Sequence, residues 1–77
     1  MKKLIADRIR QLRYDSRLTQ RDVAALINVN HLTYRGYENC RSEIPIFYLM
    51  RISDLFNVSL DYITGRTNKK EDFHEDQ

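Results

Sequence analysis

Apolar side chains recur along this chain at the three- and four-residue spacing of helices. Between Lys3 and Ser16, Ile5, Ile9 and Leu12 share one face while Arg8, Arg10 and Gln11 point elsewhere, which predicts a first helix. Thr19 then reads as an N-cap, because its hydroxyl can accept a first-turn N–H and Asp22 completes a capping box three residues on. Val23, Ala24 and Ile27, with Leu26, supply the buried side of a second helix that runs only to about Ile27. Asn28 tolerates a left-handed backbone and can stop that helix sharply. Val29 plugs the corner, and Asn30 caps a third helix over 31–38. Pro45 suits the first turn of a fourth helix, with Ile44 extended at its N-cap. Leu49, Ile52 and Phe56 line the inner face of this helix, with Ile46 and Ser53 alongside. Ser59 caps a last short helix over 60–64, with Asp61 near its positive end and Gly65 to close it.

Two short helices joined by so tight a turn as Asn28-Val29-Asn30 must cross steeply, which is helix-turn-helix geometry. With 77 residues, two glycines and one proline, the chain is one domain and not a sheet-rich one. The expected fold class is therefore all-α: a compact five-helix domain over 1–65, with the motif at helices two and three. Residues 66–77, RTNKKEDFHEDQ, carry one aromatic side chain and no helical stripe, and read as a flexible polar C-terminal tail. No internal repeat is evident. Cys40 is the lone cysteine, so no intrachain disulfide can form. His31 and His74 lie too far from each other and from Cys40 to suggest a zinc site. No metal or cofactor is expected. A lone thiol suits a reducing compartment, and no secretion signal or bilayer-length apolar stretch is legible, so the expectation is a soluble cytoplasmic protein without a membrane partner.

The net charge of +2 is unevenly spread. Residues 1–65 carry ten basic and seven acidic side chains, and between Arg8 and Arg41 seven arginines face only Asp15, Asp22 and Glu38. Such a bias suits a phosphate backbone, although an ordinary solvated surface gives the same numbers.

The stretch LTQRDVAALINVNHLTYRGYENCRSEIPI, followed by LFNVSLDYITG, resembles the Cro/repressor-type helix-turn-helix family, also called the xenobiotic-response-element family. Thr19-Gln20, Ala24, the Val29 corner, Tyr37-Glu38-Asn39, Ile44-Pro45 and Val58-Ser59-Leu60-Asp61-Tyr62 occur in order at the family's spacing. The resemblance covers 18–65 and implies a repressor-like DNA-binding protein whose third helix enters the major groove while the second crosses the backbone. Helical spacing makes the same choice of face: His31, Leu32, Arg35 and Gly36 share one side, and Tyr34 and Tyr37 another that packs inward. The expected base-reading set is thus His31, Leu32, Arg35 and Gly36. His31 can meet a base edge or be an ordinary surface histidine, Leu32 can press on a thymine methyl or lie partly buried, and Arg35 can read guanine or pair with a phosphate. Gly36 offers no base-reading group and replaces a longer side chain, but permits close backbone approach.

The resemblance also assigns phosphate contacts to Gln20, Asn39 and Arg41, the last of which is equally an ordinary C-terminal cation on the helix dipole, and a partly buried structural ion pair to Arg13 and Glu38. Asn30 and Thr33 are expected to join the phosphate contacts. Asn28, Cys40 and Arg17 stand where glycine is common. At Cys40 a positive φ carries strain of about 1–2 kcal/mol unless Asn39 takes that conformation instead.

One reading helix covers only a few base pairs, so a DNA-binding regulator is expected to act as a homodimer on half-sites about 10 bp apart. Phe47, Tyr48, Met50 and Leu55 exceed what one inner helix face needs and form the candidate dimer surface. The competing reading is a protein-interaction module, such as an antitoxin or accessory factor on the same fold. No nucleophile–base pair, phosphate-cradling loop or carboxylate cluster suggests an enzyme, and no small-molecule ligand is evident.

Overall fold

The computed structural model describes residues 1–70, and all regular structure among them is helical. Five helices follow in order: α1 Lys2–Asp15, α2 Gln20–Ile27, α3 His31–Glu38, α4 Ile46–Phe56 and α5 Leu60–Ile63.

Local chemistry sets the boundaries. Asp22 N–H donates to Thr19 Oγ1 at 3.0 Å and Thr19 N–H to Asp22 Oδ2 at 2.9 Å, a reciprocal cap that starts α2. Asn28 ends α2 at φ 64°, ψ 52°, and the Val29 N–H turns back to the Ala24 carbonyl at 2.9 Å. Asn30 Oδ1 then accepts the Leu32 N–H at 2.8 Å and opens α3.

The same device recurs between α4 and α5. Asn57 sits at φ 55°, ψ 48°, the Val58 N–H returns to the Ser53 carbonyl at 3.1 Å, and Ser59 Oγ accepts the Tyr62 N–H at 3.0 Å. Asn57 is absent from the expected turn residues, although Asn57-Val58-Ser59 repeats the pattern of Asn28-Val29-Asn30. Pro45 departs from expectation by one position: it is itself the N-cap of α4, at φ −58°, ψ 147°. Its missing N–H falls where no intrahelical partner exists.

The core is one cluster drawn from every helix: Ile9 and Leu12, Val23, Ala24 and Ile27, Tyr34 and Tyr37, Leu49 and Ile52, then Val58 and Ile63. Leu26 lies outside it, 57% exposed, because α2 centres Val23 and Ile27 on the core and leaves its neighbour on the flank. Helix α3 packs on α1 and α2, while α4 meets α2 and α5, and α5 meets α1. No helix among the described residues is long and apolar enough to cross a membrane.

Residues 66–70, expected to belong to the flexible tail, are instead held against the helices. Arg8 is the reason. Its guanidinium donates to the carbonyls of Tyr62 and Thr67 and to Asn68 Oδ1, and lies 4.3 Å from the Tyr62 ring centre. The Lys70 carbonyl accepts the Ser59 N–H at 3.2 Å. The rest of the expected tail, 71–77, with His74, lies outside the described residues.

Candidate nucleic-acid interface

Helix α3 divides its side chains by depth. Tyr34 and Tyr37 are buried and meet edge to face, with ring centres 6.3 Å apart. Leu32, Thr33 and Arg35 are exposed, Leu32 by 62%, and His31 is half-buried. The start of α3 borders an open groove lined by Arg13, Tyr14, Thr19, Gln20, Arg21, His31 and Arg35. Gln20 and His31 are the first residues of α2 and α3, so the positive ends of two helices border one groove. Arg8, Arg10 and Arg13 are turned onto the protein, whereas Arg17, Arg21, Arg35 and Arg41 are exposed. The basic bias legible in the sequence therefore reaches solvent through only four of its seven arginines, two of which line the groove. Arg21 and Tyr14 are additions to the expected residues. The signal for Arg21 was its place beside Gln20 in the first turn of α2.

Behind the groove lies a buried charge network. Arg13 Nε and Nη2 donate to the two Glu38 carboxylate oxygens at 2.8 and 2.9 Å, while Arg13 Nη1 holds the Leu18 carbonyl at 3.1 Å. Tyr34 Oη also donates to this carboxylate, and Gln20 Nε2 donates to its Oε1 at 3.1 Å. Burial pushes the Glu38 carboxyl up, but the donors Arg13, Tyr34 and Gln20 outweigh it and hold the group below the usual carboxylate range. Burial, and then the hydrogen bond to that carboxylate, push the Tyr34 phenol well above its ordinary value. No buried side-chain polar atom among the described residues lacks a partner. The network joins α1, the start of α2 and the end of α3, and so fixes the crossing of the two motif helices.

The sequence profile of the helix-turn-helix family matches residues 9–63. This chain belongs to the Cro/repressor-type helix-turn-helix family. It is 35% identical over 65 residues to the uncharacterized HTH-type transcriptional regulator YobD of Bacillus subtilis, covering 84% of this chain and 58% of YobD. It is 27% identical over 62 residues to the HTH-type transcriptional regulator ImmR of the same organism, covering 80% of this chain and 49% of ImmR. The chain thus spans about half the length of these relatives, which are named as regulators rather than enzymes. No solved structure matches it.

Within this helix-turn-helix domain Gly36 departs from the base-reading set. It is buried, and its carbonyl accepts the Arg41 and Ser42 N–H groups at 2.8 and 3.4 Å. A Cβ there would stand 3.4 Å from Ser42 Oγ and 3.8 Å from Arg41 Cβ. The chain after α3 folds back over this position, so Gly36 faces the turn and not a base edge. Asn30, Thr33, Asn39 and Arg41 are all exposed, though Asn30 Oδ1 is engaged as the α3 cap. Cys40, and not Asn39, takes the left-handed conformation, at φ 62°.

The candidate dimer surface also divides. Phe47 and Met50 are 53% and 51% exposed, and Ile46 beside them 62%. Tyr48 and Leu55 are half-buried against the core, Tyr48 with its ring centre 6.5 Å from that of Tyr37. Those two form the rim of the core, and the free apolar face of α4 is Ile46, Phe47 and Met50.

Proposed function

We propose that this chain binds double-stranded DNA sequence-specifically as a homodimeric transcriptional regulator, a repressor, with α3 in the major groove. The observation that carries this reading is the outward face of α3: exposed Leu32 and Arg35, with half-buried His31, beside a groove where two helix starts and exposed arginines meet. His31, Leu32 and Arg35 read base edges; Gln20, Asn30, Thr33, Asn39 and Arg41 hold the phosphates, joined by Arg21. Such an arrangement suits a polyanion that also displays thymine methyls and guanine edges. The apolar face of Ile46, Phe47 and Met50 supplies the contact between two copies.

Selection of bound duplexes from random DNA tests the sequence specificity and the dimer together. The expected result is a two-fold site with half-sites about one turn apart. Affinity should fall steeply between about 50 and about 200 mM salt. Indifference to DNA at low salt would replace this reading with a protein-interaction module, for which the same α4 face is the docking point.

A further inference from the structure

Gln20 faces two ways. Its Nε2 donates to the buried Glu38 Oε1 at 3.1 Å, yet the side chain is only half-buried and lines the open groove with Thr19, Arg21, His31 and Arg35. An amide nitrogen carries two protons, whereas a carboxylate only accepts. Glu38 therefore admits the nitrogen end of this amide alone, takes one proton and leaves the second available. An unpinned glutamine would have to be ordered by the DNA, which weakens binding by a few-fold to about tenfold.

We propose that Glu38 is a positioning residue for the DNA backbone, holding the Gln20 amide so that its second N–H meets a phosphate oxygen without further ordering. This rests on the DNA-binding reading above and deepens it. Glu38 touches no DNA: it is 2% exposed, and Arg13 on both its oxygens offsets its charge towards an incoming phosphate. Because Glu38 is the last residue of α3 and Gln20 the first of α2, the same bond ties the backbone grip to the helix that reads bases.

The test is a double-mutant cycle on the full chain, using a duplex recovered by selection from random DNA. Glu38→Gln weakens binding a few-fold to tenfold in the parent, and has little further effect once Gln20→Ala is present. Equal losses in both backgrounds overturn the proposal, since a merely structural Glu38 acts whether or not Gln20 is there. Thermal unfolding of each variant verifies that the binding measurements are made on folded protein. Gln20→Asn provides a second arm that leaves the buried ion pair untouched. One methylene shorter, it cannot reach both Glu38 and a phosphate, so it should bind as poorly as Gln20→Ala; parent-like binding overturns the idea. Failure of the parent itself to bind DNA removes the functional reading and this inference with it, whereas additive losses remove the inference alone.

Discussion

Cys40 adopts φ 62° and Arg17 φ 59°, both in the left-handed region where a Cβ is disfavoured. The cost for a side chain there is about 1–2 kcal/mol, partly offset by glycine's greater freedom in the unfolded chain. Cys40→Gly should therefore stabilise by about 0.5–1 kcal/mol and raise Tm by several degrees in a thermal melt. A lower Tm would mean that the thiol packs better than its backbone suggests. Gly65 presents the opposite case. It has φ 87°, and a Cβ there would collide with Leu4 Cδ2. Gly65→Ala should cost about 1–3 kcal/mol, read as a loss in the urea midpoint. Adding Leu4→Ala should restore only the steric part, leaving the dihedral strain. At this scale the turn residues Asn28 and Asn30 were legible because their chemistry is local. Gly36 was not. Its burial depends on Arg41 and Ser42 folding back over it, a contact that helix periodicity does not encode.

Single elements owe their placement to contacts between helices, and there the sequence was a poorer guide. The capping box at α2 and the span His31–Glu38 of α3 follow from neighbours three or four residues away. Arg8 looked like one more cation for DNA, and nothing near it in sequence announces the carbonyls of Tyr62 and Thr67 that it holds. Arg8→Ala should loosen residues 67–70, seen as faster hydrogen exchange at the Ser59 amide, whose acceptor is the Lys70 carbonyl. Unchanged protection would show that Lys70 holds its place without Arg8. The Arg13–Glu38 pair gives a larger effect: Arg13→Ala strands a buried carboxylate and should cost about 3–5 kcal/mol in chemical denaturation. It also sets a pH dependence. The Glu38 carboxyl is held below the ordinary carboxylate range, so its contribution is complete above about pH 4–5. That contribution is lost as the pH falls through the depressed value. Urea midpoints from about pH 6 to about pH 2 should drop less steeply in Glu38→Gln than in the parent.

Across the whole molecule, a net charge of +2 is too small to explain attraction to DNA by itself. The arrangement of the charge matters more: Arg8, Arg10 and Arg13 bind inward, while Arg21 and Arg35 remain at the groove. Salt titrations should separate roles that sequence left open. Arg41→Ala should weaken binding evenly across sequences and reduce the salt slope by about 1. If Arg35 reads guanine, Arg35→Ala should relax preference at one base pair at a cost of about 1–3 kcal/mol; a uniform loss would assign it to a phosphate instead. The tilt between α2 and α3 passes through only Asn28, Val29 and Asn30, with one left-handed residue and one cap. An extra amino acid inserted there would separate the Val29 N–H bond to the Ala24 carbonyl from the Asn30 cap and so change how α3 crosses α2, whereas one inserted near Glu43 would meet exposed irregular chain. On the proposed reading of DNA by α3, a new target site can evolve by exchanging outward side chains, but not by lengthening this elbow.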